Sequence, residues 1–140
     1  MGRRGLLTSM ETPETGVQAA NALPPQVTLA VRAAREKKAM DVVVLDLRAI
    51  DSFTDFFVIC SGQNSRQVQA IAEAVENGLR EAGVRPSHVE GLDRAEWVLL
   101  DYFDFVVHVF GIARREFYAL ERLWGSAGRV PLQEDTPLTP

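Results

Sequence analysis

Two carboxylates, Asp101 and Asp104, lie close together in the C-terminal half of the chain. Paired carboxylates hold Mg²⁺ in enzymes that transfer nucleotidyl groups, so the pair raises a Mg²⁺-dependent enzyme as one alternative. Strand alternation would separate the two side chains, and no neighbouring residue completes a set of metal ligands. The same carboxylates could pair with Lys or Arg on a basic protein, and Asp104 alone could form a turn.

One thiol, Cys60, and two imidazoles, His88 and His108, are available for nucleophilic or acid–base chemistry. Cys60 ends an apolar run, which is typical of a buried, inert thiol. His108 alternates with Val106 and Phe110, which places it on one face of a strand, either packed there or at an interface. A lone cysteine excludes an internal disulfide and is typical of a reducing compartment.

The segment Ser61-Gly62-Gln63-Asn64-Ser65 joins an apolar run to a helical pattern, and the N-terminus of a helix is a place that suits anions. It lacks the glycine spacing and the lysine of a P-loop, so an ordinary helix cap on Asn64 or Ser65 is the alternative. We expect no cofactor and no metal ion.

Trp97, Leu100 and Tyr102 belong to an apolar run that could anchor a protein–protein interface, where a few buried aromatic residues carry most of the binding energy. Alternation puts Trp97 and Asp101 on one face of this strand and Leu100 and Tyr102 on the other. Both faces cannot meet one partner unless the strand lies at an edge or twists, and core packing is the alternative for Trp97 and Tyr102. The candidate partner-binding residues are Trp97, Leu100, Asp101, Tyr102, Asp104 and His108.

The elements that must position these residues follow from hydrophobic periodicity. Helical spacing of apolar residues predicts helices, and continuous β-branched runs predict strands that are covered on both faces. The predicted helices are 27–38, 64–83 and 113–124, and the predicted strands are 42–45, 56–60, 88–90, 97–102 and 105–110. The order α-β-β-α-β-β-β-α predicts a single-domain α/β fold with a mixed five-stranded sheet flanked by helices.

Composition sets the expected domain boundaries. Residues 1–25 and 129–140 lack a sustained apolar period and are predicted to be flexible tails on either side of one folded domain, residues 26–128. No apolar run approaches the roughly 20 residues that span a bilayer. No signal-peptide pattern is present either, so no membrane contact is expected and the cytoplasm is the predicted location.

The charge balance bears on the partner. Fifteen Lys and Arg residues against 19 Asp and Glu residues give a formal net charge of −4. A protein that binds nucleic acid through its phosphates is expected to be basic, so direct nucleic-acid binding is not expected. The acidic balance favours a basic protein as the partner.

Two stretches resemble the signatures of a known family. Residues 54–62 resemble TDYFVI-(A/C)-(S/T)-G, with Phe56 in place of the Tyr. Residues 90–110 resemble EG…WVLLDYGDVVVHVF, and several residues in 115–124 match the helix that closes the family's domain. On these motifs, which cover about residues 27–130, the chain resembles the ribosomal silencing factor family, also called RsfS or Iojap.

The resemblance implies an α/β fold related to nucleotidyltransferases but without their activity. It implies binding to ribosomal large-subunit protein fourteen, at the face where the small subunit docks. A family member bound there blocks the joining of the two subunits sterically and lowers translation when nutrients are scarce. Free members are often homodimers. The chain is accordingly predicted to be a translation repressor and not an enzyme.

The hairpin turn departs from the family pattern, because Phe103 stands in place of the family's glycine and Phe105 in place of a Val. A glycine there indicates a positive φ, which Phe adopts only at a cost of about 1 kcal/mol or more. Either the turn is built differently, or a neighbouring group compensates. Both changes add an aromatic ring beside the expected contact surface.

Overall fold

The computed structural model describes residues 23–50, 52–114 and 128–132. Two helices and six strands lie within these ranges. In chain order they are α1 (Pro25–Glu36), β1 (Met40–Asp46), β2 (Phe56–Gly62), α2 (Ser65–Glu81), β3 (His88–Glu90), β4 (Trp97–Asp101), β5 (Phe105–Gly111) and β6 (Gly128–Val130).

The strands form one mixed sheet in the order β3-β4-β5-β2-β1-β6. The central strands β2 and β5 are parallel, and every other neighbouring pair is antiparallel. The single-domain mixed sheet flanked by helices is confirmed, and its antiparallel hairpin of β4 and β5 supplies most of the candidate residues.

The predicted count of five strands is wrong, because β6 adds a sixth. Its three residues pair antiparallel with β1, from Val44 opposite Val130 to Asp46 opposite Gly128. The strand is short, begins with glycine and is largely exposed, so neither alternation nor an apolar run marks it in the sequence. Arg129 and Val130, assigned by composition to the C-terminal tail, therefore belong to the sheet.

Both helices cover the same face of the sheet. The apolar stripe of α1 (Val27, Ala30, Val31 and Ala34) is buried together with that of α2 and with one side of the strands. The start of α1 at Pro25 fits the preference of proline for the first helical position. Beyond the end of α2, Gly83 has a φ of 84°, the left-handed conformation that ends many helices.

The second face of the sheet carries its own apolar cluster, which includes Leu45, Phe57, Ile59, Val106 and Phe110. All seven residues of β2 are buried, as the unbroken apolar run predicts for a strand covered on both sides. The predicted last helix, residues 113–124, lies almost entirely outside the described residues. Within the described ranges, no helix has the length and apolarity needed to cross a bilayer.

Candidate functional site

The six candidate residues lie in β4, in the turn after it and in β5, and alternation along the strands divides them between the two sheet faces. Leu100 and Tyr102 belong to the cluster beneath the helices. Trp97 packs on the second face, and Asp101 pairs across the sheet with Val106 of that face. The six residues therefore do not form one surface, as the predicted strand pattern itself required.

Leu100 and Tyr102 are core residues, which corrects their prediction as partner contacts. Leu100 is 0 % exposed and Tyr102 is 7 % exposed. The Tyr102 ring stacks on Phe105, with ring centroids 4.9 Å apart. Burial raises the pKa of Tyr102 to about 12, and its hydroxyl meets no hydrogen-bond partner among the described residues. A partner could reach these side chains only if the helix-side core opened.

Trp97 and His108 form a hydrogen-bonded pair on the second face. The Trp97 indole Nε1 donates to His108 Nδ1 at 3.1 Å. The indole also stacks on Phe110 at 5.0 Å, and the imidazole and the Phe57 ring meet edge to face with centroids 4.6 Å apart. His108 is 4 % exposed, whereas Trp97 keeps part of its surface in solvent. Of the two, only Trp97 can touch a partner directly.

Burial holds His108 in its neutral form. Desolvation lowers the pKa of its imidazole to about 4, because a charged ring would lose its hydration in this apolar surrounding. The second ring nitrogen, Nε2, is also buried and has no hydrogen-bond partner among the residues that the structure describes. His108 is thus a polar core residue that supports Trp97.

The hairpin turn keeps a positive φ despite its side chain. Phe103 has a φ of 77°, as the glycine of the resembling family predicts. The Asp104 amide donates to the Tyr102 carbonyl at 2.9 Å, which is the hydrogen bond of a γ-turn centred on Phe103. The Asp101 carboxylate accepts from the Phe103 amide at 2.8 Å. The Asp101 carboxylate is therefore the neighbouring group that compensates for the strain, and its main contact is within the turn.

A second loop braces this turn. The Thr54 hydroxyl donates to the Phe103 carbonyl at 2.9 Å, and the Asp55 amide donates to the Asp104 carbonyl at 3.0 Å. The neighbouring Phe53 is 69 % exposed, and Phe103 is 76 % exposed. We call Phe53 and Phe103 the aromatic tip.

Phe53 is not among the six candidate residues, because it stands alone between the polar residues Ser52 and Thr54. Its ring lies 6.1 Å from that of Phe57, which in turn contacts His108. Phe53 is thereby linked to the Trp97–His108 pair along the second face. An isolated Phe between polar residues was the available signal, but the sequence alone does not tell exposed from buried.

A shallow pocket of about 130 Å³ opens beside Trp97. Its other walls come from Gly91, Arg94, Glu96 and Arg114. Arg114 and Glu96 form an ion pair at 3.1 Å across it. The space is comparable to one side chain, so the exposed part of Trp97 borders a depression and not a flat surface.

The loop before α2 is an ordinary helix cap. Asn64 accepts from the Gln67 amide at 2.9 Å, and the Gln67 side chain accepts from the Gln63 amide at 2.6 Å. The same side chain donates to the Lys37 and Lys38 carbonyls at 3.1 Å, which ties α2 to the end of α1. These internal bonds occupy amides that an anion would need, which favours the cap over a phosphate site.

The candidate metal and thiol groups are dispersed. In 23–50, 52–114 and 128–132, no three His, Cys, Asp or Glu residues group in a way that could hold a metal ion. Asp101 is engaged in the turn and Asp104 is exposed at its far side. Cys60 is buried on the helix side of the sheet, as predicted.

The fold is an α/β domain whose braced turn carries exposed aromatic rings. Comparison with known proteins identifies the family of the chain. A family model described as "Ribosomal silencing factor during starvation" matches residues 20–139. The chain belongs to this family. The curated names describe regulatory factors, so the chain is a ribosome-associated regulatory protein and not an enzyme.

Relatives and solved structures agree with this assignment. The ribosomal silencing factor of Halalkalibacterium halodurans is 46% identical over 75% of this chain and 90% of its own length. That of Bacillus subtilis is 43% identical over 71% and 84%. A crystal structure of a Chromobacterium violaceum protein covers 79% of this chain and 88% of its own, with 36% identity and a TM-score of 0.70. A Bacillus halodurans structure, 43% identical, covers 76% and 96% with a TM-score of 0.68.

Proposed function

We propose that this protein binds the large ribosomal subunit through ribosomal large-subunit protein fourteen, and blocks joining of the small subunit by its bulk. Translation is thereby repressed when nutrients are limiting. The contact surface in this proposal consists of Trp97 and Asp101 on the second face, the aromatic tip, and Asp104.

The observation that carries the proposal is the aromatic tip. Its two large apolar rings are mostly exposed, and Phe103 is held there at an unfavourable φ, as is common at functional sites. Hydrogen bonds to the Asp101 carboxylate and from the Thr54 hydroxyl stabilise this conformation. A backbone that these hydrogen bonds already fix loses little conformational freedom on binding, which favours affinity.

The charge of the chain and the name of a relative also support binding to the large subunit. Asp104 is exposed beside the tip, in a chain of net charge −4, which suits a basic protein surface. A mouse relative, 29% identical over 70% of this chain, is named "Mitochondrial assembly of ribosomal large subunit protein 1". The large subunit is therefore the particle on which we propose that this chain acts.

A subunit-joining assay tests the mechanism. Purified large and small subunits are mixed with increasing amounts of the protein, and the joined particles are separated by sedimentation. We expect the joined fraction to fall as the large subunits become saturated, and joining to recover when Phe103→Ala replaces the wild type at the same concentration. Unchanged joining at saturating occupancy would exclude steric blocking.

The enzymatic alternative and the free oligomeric state have separate tests. Titration calorimetry with Mg²⁺ and nucleoside triphosphates should give no saturable heat, because the Asp101 carboxylate is engaged in the turn. Saturable binding lost in Asp104→Asn would instead support a nucleotidyltransferase-like site. Light scattering of the free protein would test the homodimer that the family resemblance implies.

A further inference from the structure

His108 lies at the centre of the second face without access to solvent. It is 4 % exposed and is surrounded by the rings of Phe57, Trp97 and Phe110. Its neighbours across the sheet are Ile59 on β2 and Leu99 on β4. A side chain in this position cannot contact a ribosomal protein directly, so its role in the proposed surface must pass through another residue.

The hydrogen bond to Trp97 fixes which nitrogen of His108 carries the proton. An indole N–H can only donate, so Nδ1 of the neutral imidazole is the acceptor and Nε2 bears the hydrogen. This Nε2–H is buried and meets no acceptor in the described part of the chain. An unsatisfied buried donor lowers stability, and an apolar residue of similar size would avoid that penalty. The Nδ1 acceptor is therefore the feature of histidine that the fold uses.

We propose that His108 is a positioning residue that holds the Trp97 indole in one orientation for the partner. Its Nδ1 fixes one edge of the indole, while Phe110 supports the ring by stacking. The indole N–H is used inside the protein, so the partner meets the carbon edge of Trp97 and not a hydrogen-bond donor. Fixing the ring before binding removes part of the entropy loss of association. The effect on affinity rests on the proposed function, but the positioning itself does not.

A matched pair of variants separates the acceptor from the volume of the side chain. Leu and Asn have nearly the same shape, but only Asn carries an oxygen at the place of Nδ1. We expect His108→Leu to weaken large-subunit binding about ten-fold in co-sedimentation. Its stability in urea should change little, because the loss of the buried Nε2–H donor offsets the cost of leaving the partly exposed Trp97 N–H without its acceptor. His108→Asn should bind within about three-fold of the wild type. A purely structural role would make affinity follow stability.

The free protein provides a second readout that needs no ribosome. The two tryptophans, Trp97 and Trp124, each give one indole resonance in a ¹H–¹⁵N spectrum, and Trp124→Phe assigns them. We expect the Trp97 indole proton to exchange slowly with water and to resonate downfield in the wild type and in His108→Asn. In His108→Leu it should shift upfield and exchange at least ten-fold faster.

The outcomes distinguish the positioning proposal from the proposed function. An indole resonance that His108→Leu leaves unchanged would overturn positioning, whatever the ribosome does. Equal loss of binding in the Leu and Asn variants, or full binding by His108→Leu, would overturn the role of the acceptor in recognition. Failure of the wild type to sediment with large subunits would overturn the proposed function, while the indole data would still decide on positioning.

Discussion

Tyr102 and His108 are polar side chains buried on opposite sides of one sheet. Each has a polar atom without a hydrogen-bond partner among the described residues. Such atoms make single substitutions informative, because removing the polar atom and removing the ring have opposite effects on stability. The two residues therefore report separately on the helix side and on the second face.

At Tyr102, we expect Tyr102→Phe to leave the free energy of unfolding unchanged or to raise it by about 1 kcal/mol, since none of the described residues pairs with the hydroxyl. Tyr102→Ala should lower it by about 3–5 kcal/mol, because a cavity replaces the ring that stacks on Phe105. Urea denaturation measures both. Clear destabilisation by Tyr102→Phe would show that the hydroxyl has a partner in the folded protein.

At His108, acidification should lower stability. The pKa is about 4 in the folded protein against an ordinary 6.5, so only the unfolded chain takes up the proton between these values. The contribution of His108 is complete above about pH 6.5 and is lost as the pH falls to about 4, about 3 kcal/mol in all. The difference between wild type and His108→Leu in urea at each pH isolates this slope, because His88 is present in both. A difference in unfolding free energy between the two proteins that does not change with pH would contradict this prediction.

At the scale of elements, Phe103 in the hairpin turn is expected to strengthen partner binding and to lower the stability of the fold. Phe103→Gly and Phe103→Ala both remove the exposed ring, but only glycine relieves the positive φ. We expect the glycine variant to be more stable than the alanine variant by about 1 kcal/mol in thermal or urea unfolding. Both should bind large subunits equally weakly. A glycine variant that binds better than alanine would show that the backbone, and not the ring, is what the partner recognises.

The sequence predicts those elements whose own residues decide their structure. Runs of β-branched and aromatic residues identify β2 and β5, and an apolar stripe with the cap on Asn64 identifies α2. By contrast, β6 is a strand only because it pairs with β1. The exposure of Phe53 depends in the same way on distant contacts, since the turn at Phe103 fixes its loop.

The candidate site was predictable only in part, for the same physical reason. Alternation correctly places Trp97 and Tyr102 on opposite faces, but it cannot say which face the helices cover. The helices cover the face of Leu100 and Tyr102, which removes both from the contact surface. Pro25 begins α1 and Arg129 and Val130 lie in β6, so the predicted tails of residues 1–25 and 129–140 each overlap the fold by one or two residues. The flexibility of the tails and the nucleotidyltransferase kinship remain predictions from sequence.

At the scale of the whole molecule, the acidic balance should steer the encounter with a basic partner. We expect Asp104→Lys to weaken large-subunit binding roughly five-fold at low salt, and less as the ionic strength rises. Glu73→Lys makes the same change of net charge at an exposed position on α2 and serves as the control. If the two variants weakened binding equally, the net charge of the chain would explain the loss. The aromatic tip would then not lie at the interface.

The central claim is that Trp97, and not Tyr102, faces the ribosome. The most direct measurement is the dissociation constant for large subunits, by co-sedimentation, of Trp97→Ala beside Tyr102→Phe. We predict a loss of about 2 kcal/mol, roughly 30-fold, for Trp97→Ala and no change for Tyr102→Phe. A folded Trp97→Ala protein that binds like the wild type, or an equal loss in Tyr102→Phe, would contradict the account.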